Sequence, residues 1–193
     1  KEGAPIYPVS PWEVSEEQLL PAYNLRNETI FSLGNGYLGM RGNFEEGYNG
    51  PAGTSVEGTY INGFYETGDL KYPEAAFGYP EKSQTMLNIT NGKLIKLYLE
   101  EEEFQIFTGE LLTYRRTLDL KNGVLRRALV WRSPAGREVR LAITRLVSLT
   151  RKPVAAIAYE VTPLNFCGKI RLFSALDGDV RNLEMKKDPR VGS

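Results

Sequence analysis

The chain has 193 residues, of which 41% are apolar and 25% are charged, a composition typical of a globular domain rather than a disordered chain. Its 24 basic and 24 acidic residues balance, which argues against recognition of nucleic acid or an anionic membrane through net charge. The absence of histidine and the presence of one cysteine exclude histidine triads, histidine metal sites and an internal disulfide within these residues.

The first local signal is helical and short. The segment SEEQLL, from Ser15 to Leu20, resembles a capping box in which Ser15 pairs with Gln18. Pro21 follows directly, and proline lacks the amide hydrogen that a helix interior needs. We therefore predict that Pro21 stops this helix within a turn or two.

The stretch FSLGNGYLGMRGNFEEGY, residues 31–48, contains five glycines among aromatic and aliphatic residues. Two interpretations are open: two ordinary hairpins, or one wall of a polar-ligand site beside Asn35, Tyr37, Arg41, Glu45 and Glu46. A nucleotide-binding loop is not favoured, because its fingerprint must open a helix and this many glycines oppose one.

Asn-Gly pairs recur between apolar segments. The pair suits the positive φ angles of a type I′ hairpin turn. The pairs begin at Asn35, Asn49, Asn62, Asn91 and Asn122. In the last third, apolar and polar residues alternate, as from Val139 to Thr144, and this period is typical of strands with one buried face. The pattern predicts an all-β fold, a large antiparallel β-sandwich.

The region from Thr67 to Ser83 contains no clear strand or helix pattern and is rich in Tyr, Pro and Phe. Aromatic loops on strand scaffolds often carry binding sites, while packing of the loop on its own sheet is an equal alternative. The same two interpretations apply to Tyr65, Tyr72, Phe77 and Tyr79. We interpret Trp12 and Trp131 as core residues.

Carboxylates are the remaining candidates for acid–base chemistry, which on a sugar needs two groups that flank one bond. The candidates are Glu28, Glu45, Glu46, Glu57 and Glu66. Nothing in their spacing pairs any two of them, so we interpret them as surface carboxylates or turn caps. We identify no catalytic residue and no metal ligand in this chain.

Three further features have simple interpretations. The basic pairs Arg115-Arg116 and Arg126-Arg127 are predicted to lie on solvated strand faces. Cys167, in an apolar context, is predicted to be a buried, inert thiol. A lone cysteine and the absence of a membrane-length apolar run or a secretion signal favour a cytoplasmic protein without a membrane segment.

Several segments together resemble a known family. They are RNETIFSLGNGYLGMRGNFEE, GTYINGFYE, LDLKNGVLRR, SPAGREVRLAITRLVSL and IAYEVTPLNFCGKIRLFSALDGDVRN. Their order is similar to that in the N-terminal domain of glycoside hydrolase family 65, which includes the maltose, trehalose and kojibiose phosphorylases. The resemblance extends from about Trp12 to the last residue.

The resemblance implies a fold and a reaction. Family members carry an N-terminal super-β-sandwich of the galactose mutarotase type, a helical linker and an (α/α)₆ barrel. They cleave an α-glucosidic bond with inorganic phosphate and inversion, giving β-glucose 1-phosphate, with one barrel glutamate as general acid. No metal or organic cofactor is implied, and phosphate is the co-substrate. Residues 1–193 would then be part of the sandwich, incomplete at the C-terminal end, with the barrel absent.

The resemblance also implies partners and contact residues. Partners would be the linker and barrel of the same enzyme, the disaccharide and phosphate, and a second subunit of a homodimer. A sandwich loop reaches the active site in the family, for which the substrate-binding candidates are Asn35, Tyr37, Arg41, Tyr65 and Tyr79. Arg41 and Glu45 either bridge to the barrel or linker, or only bond the local turns.

Two other functions are considered. A free-standing carbohydrate-binding module would close its own sandwich and hold sugar unaided. An aldose mutarotase shares a similar sandwich, but mutarotases are expected to use histidine with glutamate, and this chain has no histidine.

Overall fold

The computed structural model describes residues 6–70 and 77–182, which form one helix and twelve strands. The helix α1 is Pro21–Ile30. The strands are β1 Glu13–Glu16, β2 Leu33–Gly34, β3 Leu38–Met40, β4 Thr59–Asp69, β5 Lys82–Asn88, β6 Ile95–Leu99, β7 Glu102–Glu103, β8 Glu110–Asp119, β9 Val124–Arg132, β10 Glu138–Val147, β11 Ala155–Pro163 and β12 Ile170–Ser174. The predicted all-β class is confirmed. Tyr72 and residues 183–193 lie outside the described residues.

Three antiparallel sheets make up the fold. The largest has the order β1-β8-β9-β10-β11, and the two smaller ones have the orders β12-β6-β7 and β2-β3-β4-β5. Strands β8 to β11 follow one another as a meander, in keeping with the short turns and the alternating sequence. Within the described residues, no helix has the length and apolar character needed to cross a membrane.

One face of the five-stranded sheet is covered by both smaller sheets. At one end, Trp131 and Leu141 pack with Leu97 and Leu99 of β6. At the other end, the apolar cluster contains Leu33, Leu38, Leu118, Leu125 and Val147. These two clusters are the core, and the arrangement is that of a sandwich of facing sheets.

Charged residues lie on the same buried face as the apolar ones. Arg116 on β8, Arg127 on β9 and Arg145 on β10 are each at most 3% exposed. Arg115 and Arg126 point to solvent. The prediction of solvated basic pairs is therefore wrong for one member of each pair, because successive residues of a strand point to opposite faces.

The helix α1 begins at Pro21, the residue that was predicted to end a helix. Pro21 occupies the first turn of α1, where a missing amide hydrogen costs nothing and the fixed φ angle suits a helix. The backbone of Leu20, immediately before it, is extended. The predicted helix Ser15–Leu20 is absent, and Ser15 and Glu16 belong to β1 instead.

Two of the five Asn-Gly pairs form hairpin turns. Asn35-Gly36 joins β2 to β3, and Asn122-Gly123 joins β8 to β9. Asn62-Gly63 lies inside β4 instead, where the pairing with β5 shifts register between Tyr60 and Tyr65 and Gly63 has a φ of 91°. A positive φ inside a strand is the geometry of a bulge, which glycine tolerates best.

Two further predictions about burial are wrong. Trp131 is fully buried as predicted, but Trp12 is 58% exposed because it precedes the edge strand β1. Cys167 is exposed, because it lies in the connection between β11 and β12 rather than in a strand. The segment Thr67–Ser83 also contains regular structure at both ends, since β4 extends to Asp69 and β5 begins at Lys82.

Candidate functional site

Exposed aromatic side chains lie on β4. Strand β3 pairs with β4 only from Thr59 to Ile61, and beyond this point β4 pairs with β5 alone. We call the two-stranded part, residues 62–69 and 82–86, the ribbon. Phe64 is 54% exposed and Tyr65 41% exposed, although adjacent residues point to opposite faces. The ribbon therefore presents an apolar surface on both sides.

Three of the predicted site residues meet at the base of the ribbon. The amide of Asn62 donates to the Tyr37 carbonyl at 2.7 Å, and Asn62 Nδ2 donates to the Gly36 carbonyl at 3.0 Å. The Tyr65 hydroxyl donates to Asn62 Oδ1 at 2.9 Å. Asn62 thus connects Tyr65 to the β2–β3 turn that carries Asn35 and Tyr37. Sequence reasoning missed Asn62, although an Asn-Gly pair within a strand pattern is a signal for such a bulge.

Asn35 has a structural function in its own turn. Its Oδ1 accepts hydrogen bonds from the amides of Tyr37 and Leu38, both at 2.9 Å. Its Nδ2 donates to the carbonyls of Ser148 and Lys152, at 2.6 and 3.0 Å. The side chain therefore ties the β2–β3 turn to the connection between β10 and β11, and all its polar groups are engaged.

Tyr79 lies apart from the other aromatic candidates. It is 53% exposed and precedes β5 at the far end of the ribbon, while Tyr65 lies near the base. The four residue-to-residue steps from Tyr65 to Asp69 span about 13 Å of extended strand. Tyr65 and Tyr79 thus mark the two ends of one projecting surface.

Arg41 bonds the segments around it. Its Nε donates to the Val56 carbonyl at 3.0 Å, Nη1 donates to Thr29 Oγ1 at 2.9 Å, and Nη2 donates to the Leu25 carbonyl at 3.1 Å. Nη2 also lies 3.6 Å from the carboxylate of Glu28. These contacts join the segment after β3 to the last turns of α1, which fits the interpretation that Arg41 bonds local turns.

Glu45 and Glu46 lie at the centre of a buried charge network. Arg127 donates to Glu46 Oε1 at 2.7 Å and to Glu45 Oε2 at 2.8 Å, while Arg145 Nε donates to Glu45 Oε1 at 3.0 Å. Both glutamates are 2% exposed. Each carboxylate therefore has a guanidinium partner of the kind that makes strong, directional pairs.

The electrostatics of this network favour the ionised form of Glu45. Burial would raise the pKa of Glu45, but Arg145 and Arg127 outweigh burial and hold that pKa below its ordinary value. Burial raises the pKa of Tyr114, whose hydroxyl donates to Glu16, so this tyrosine stays protonated. Neither Glu45 nor Tyr114 is therefore suited to donate a proton near neutral pH.

The prediction of surface carboxylates is therefore wrong for three of the five glutamates. Glu28, Glu45 and Glu46 are at most 2% exposed, whereas Glu66 is on the surface as predicted. Glu28 accepts hydrogen bonds from Asn24, Ser55 and the amide of Val56. The sequence did not reveal Ser55 and Val56 as partners because they lie 27 and 28 positions away in the chain.

Lys93 forms a second buried charged group that the sequence did not indicate. Its Nζ donates to Glu57, to Thr59 Oγ1 at 2.6 Å and to the Gly58 carbonyl at 3.3 Å. Burial lowers the pKa of Lys93, while the hydrogen bond that Lys93 donates to Glu57 opposes this shift. Because its donors point at the start of β4, Lys93 fixes the base of the ribbon.

Metal binding has no support in the described part of the chain. Residues 6–70 and 77–182 contain no group of three or more Cys, Asp or Glu side chains placed to hold an ion. The ribbon and the β2–β3 turn can instead supply aromatic faces, hydroxyls and amides. These groups suit contacts with a polar organic ligand or with another protein surface.

Comparison with known sequences gives a family match over most of the chain. A family model described as "Glycosyl hydrolase family 65, N-terminal domain" matches residues 14–193. The alpha,alpha-trehalose phosphorylase of Thermoanaerobacter brockii is 51% identical over 193 residues, which are 100% of this chain and 25% of that protein.

More distant relatives agree with this match. The kojibiose phosphorylase of Caldanaerobacter subterraneus subsp. tengcongensis is 34% identical over 89% of this chain and 20% of its own length. The maltose phosphorylase of Bacillus subtilis is 33% identical over 92% of this chain and 23% of its own length. The chain thus spans a fifth to a quarter of these relatives.

A solved structure supports the fold. It is assigned provisionally as a kojibiose phosphorylase from human microbiome, and it superposes with a TM-score of 0.71 at 29% identity. The superposition covers 84% of this chain and 21% of that one. The sandwich described above is therefore the architecture of a domain within a larger protein.

Proposed function

The chain belongs to glycosyl hydrolase family 65 as its N-terminal domain, and we propose that it is the non-catalytic part of a disaccharide phosphorylase. The observation that carries this proposal is the match over residues 14–193 to a domain that fills only a fifth to a quarter of the related phosphorylases. Catalysis would then belong to parts of the polypeptide outside these residues.

The proposed reaction is phosphorolysis with inversion. A phosphate oxygen attacks C1 of an α-linked glucosyl unit, and the bond from C1 to the glycosidic oxygen breaks. The leaving sugar takes a proton from a general acid, and β-glucose 1-phosphate forms. Trehalose is the first substrate to test, because the trehalose phosphorylase is 51% identical to this chain while the kojibiose and maltose enzymes are 33–34% identical.

The buried carboxylates support a non-catalytic assignment. A general acid must be protonated before it acts and must reach the substrate. Glu45 and Glu46 are buried and paired with Arg127 and Arg145, and Glu28, on α1, is buried as well. None of these three glutamates can contact a sugar without disrupting the core.

The proposed contribution of this domain to substrate binding is made by the ribbon. A two-stranded ribbon with both faces exposed gains little stability by itself. Tyr65 on the ribbon, and Tyr79 just before β5, would bury apolar surface when the ribbon packs against the catalytic part of the enzyme. Tyr37 and Tyr65 would then contact the sugar edge, with Asn35 holding the β2–β3 turn in place and Arg41 anchoring the segment after β3.

The remaining properties follow from the resemblance. We propose a cytoplasmic homodimer that needs inorganic phosphate as co-substrate and no metal or organic cofactor. The balanced charge of 24 basic and 24 acidic residues supports the absence of a nucleic-acid or membrane partner. Light scattering of the intact polypeptide tests the dimer, and assays in the presence of chelator test the metal requirement.

The decisive experiment compares the 193-residue chain with the intact polypeptide. Each is given trehalose, kojibiose or maltose with phosphate, and the anomer of glucose 1-phosphate is assigned by proton NMR. We expect the β-anomer from the intact polypeptide and no product from the chain alone. Turnover by the chain alone would overturn the proposal, and an α-anomer product would overturn inversion.

The alternative function, a free-standing carbohydrate-binding module, makes a different prediction. A module binds its sugar without help from another domain. Calorimetric titration of the 193-residue chain with glucose and maltose measures such binding. Tight binding by the chain, together with no phosphorolysis by the intact polypeptide, would favour the module. The match to one domain of larger enzymes favours the phosphorylase.

A further inference from the structure

A concave surface lies beside the first turns of α1. It is a groove of about 540 Å³ between the segment around Tyr7, the β1–α1 connection and the first turns of α1. Grooves of this volume hold ligands the size of one or two sugar units. We call it the α1 groove. It shares no lining residue with the ribbon.

Arg26 is held in the α1 groove between two tyrosines. Its guanidinium carbon lies 4.6 Å from the ring centre of Tyr23 and 5.5 Å from that of Tyr7. Such stacking on aromatic faces fixes the plane of the guanidinium. Its Nε donates to Asn27 Oδ1 at 3.3 Å, while Nη1 and Nη2 have no hydrogen-bond partner among the described residues. Two pairs of donors are thus held in a fixed plane and left available.

The support beneath Arg26 is buried and rigid. Asn27 is 3% exposed, and its Oδ1 also accepts from the Tyr7 hydroxyl at 2.5 Å. Asn27 Nδ2 donates to Glu16, whose other oxygen accepts from Arg116 at 2.9 Å. Because this chain of hydrogen bonds ends in the core, the orientation of Arg26 is set before any ligand arrives.

The other groups in the α1 groove define what it can bind. Tyr23 is 49% exposed, and its hydroxyl has no partner among residues 6–70 and 77–182. Gln18 is exposed on the neighbouring wall, and Ile6 and Leu20 add apolar surface. A ligand with one apolar face and hydroxyls around its edge satisfies all of these groups, and a hexose ring has this character.

The charges in the α1 groove argue against an anion as the ligand. Arg26 is its one cation, and Glu16 and Glu17 also line it. Glu16 is neutralised by Arg116, while Glu17 lies 3.6 Å from Arg115 with more than half of its side chain exposed. The balance favours a neutral ligand over phosphate or sulfate.

We propose that the α1 groove is a saccharide-binding site in which Tyr23 provides the stacking face and Arg26 donates hydrogen bonds to sugar hydroxyls. This inference does not rest on the proposed function, because it is drawn from the groove alone. A sugar bound here would be recognised by the N-terminal domain itself, independently of the ribbon.

The test reads the groove directly in the intact polypeptide. The protein is labelled with 3-fluorotyrosine, the Tyr23 resonance is assigned by its loss in Tyr23→Phe, and maltose or trehalose is titrated without phosphate. We expect a saturable shift of the Tyr23 fluorine signal. In Arg26→Gln the dissociation constant should rise by about fivefold or more, which corresponds to the loss of one hydrogen bond.

A matched control exists on another sheet. Arg171 lies 5.2 Å from the ring centre of Tyr98 and forms a comparable pair outside the groove, so Arg171→Gln should leave the titration unchanged. A Tyr23 signal that does not move up to the solubility limit of both sugars would overturn the proposal. An unchanged dissociation constant in Arg26→Gln, or a shift caused by inorganic phosphate and not by sugar, would overturn it equally.

Discussion

Arg145 and Glu45 lie 100 positions apart in the chain, and the structure joins them as a buried pair in which Arg145 Nε is 3.0 Å from Glu45 Oε1. The pair sits between the two apolar clusters of the core, where Arg145 also donates to the carbonyls of Arg41 and Asn43. Through these contacts β10 holds the segment that follows β3. The glycine-rich stretch, residues 31–48, is therefore held on β10 by the ion pair and hydrogen bonds of Arg145 as well as by apolar packing.

Removal of one member of the pair should destabilise the fold strongly. In Arg145→Met, Glu45 keeps its burial but loses one of its two guanidinium partners. We expect the free energy of unfolding to fall by about 3–5 kcal/mol, as is typical when a buried pair is broken. Equilibrium urea unfolding of the chain measures the change.

The control for this change lies on the same strand. Arg140 is exposed, so Arg140→Met should change the free energy of unfolding by no more than about 0.5 kcal/mol. Equal losses in the two variants would contradict the structural account of Arg145.

The pH dependence of stability should contain a contribution from Glu45. Its pKa in the folded chain lies below the ordinary value of 4.5. The ionised carboxylate therefore stabilises the fold above pH 4.5, and this stabilisation is lost as pH falls through the lower folded pKa. In Glu45→Gln no such proton is bound.

The measurement compares the free energy of unfolding of the wild type and of Glu45→Gln in urea, at neutral pH and at several values below pH 4.5. We expect the wild type to be more stable at neutral pH, and the difference to shrink in acid. A difference that stayed constant or grew in acid would show that Glu45 is not the ionised partner of Arg145.

The two tryptophans should differ sharply in their effect on stability. Trp131 is fully buried and packs edge-to-face on Phe104, with ring centres 5.1 Å apart. Trp131→Ala should cost about 3–5 kcal/mol, because it leaves a large cavity. Trp12 is 58% exposed, and Trp12→Ala should cost less than about 1 kcal/mol. Thermal unfolding monitored by circular dichroism would reveal any reversal of this order.

The Asn-Gly pairs should not be equivalent either. Asn35→Ala removes two side-chain donors to β10–β11 and an acceptor for two amides, so we expect a loss of about 1–3 kcal/mol. Asn49 is exposed and has no side-chain hydrogen bond among the described residues, so Asn49→Ala serves as the control. Comparable unfolding midpoints for the two variants would contradict the anchoring contacts of Asn35.

The ribbon should affect substrate use and not folding. In the intact polypeptide, Tyr65→Ala should raise the KM for disaccharide by about three- to tenfold, the effect of one lost contact. Tyr65→Phe keeps the ring but loses the hydrogen bond to Asn62, so its KM should lie in between. Leu149, 73% exposed at another connection, provides Leu149→Ala as the control. An unchanged KM and kcat in Tyr65→Ala would remove the ribbon from substrate binding.

Local signals were reliable where only neighbouring residues determine the structure. Asn122-Gly123 was predicted as a hairpin turn because its own backbone preferences and the flanking apolar residues are sufficient. The same dipeptide at Asn62 became a bulge inside β4, where the pairing with β3 ends at Ile61 and the pairing with β5 shifts register between Tyr60 and Tyr65. Burial of Glu45 could not be predicted, because its partners Arg127 and Arg145 are more than 80 positions away.

The sequence by itself determined the all-β class and the alternating strands of the last third, because both depend on residues close together in the chain, and it determined the family resemblance, because that depends on the order of segments along the chain. Only the tertiary structure decided which arginines are buried, where α1 begins and that Tyr65, Asn62 and the β2–β3 turn meet. The physical reason is that the neighbouring residues in the chain do not decide whether a charged or aromatic side chain is buried or exposed. Distant partners choose between the two states by supplying, or failing to supply, an opposite charge, a hydrogen bond or an apolar surface.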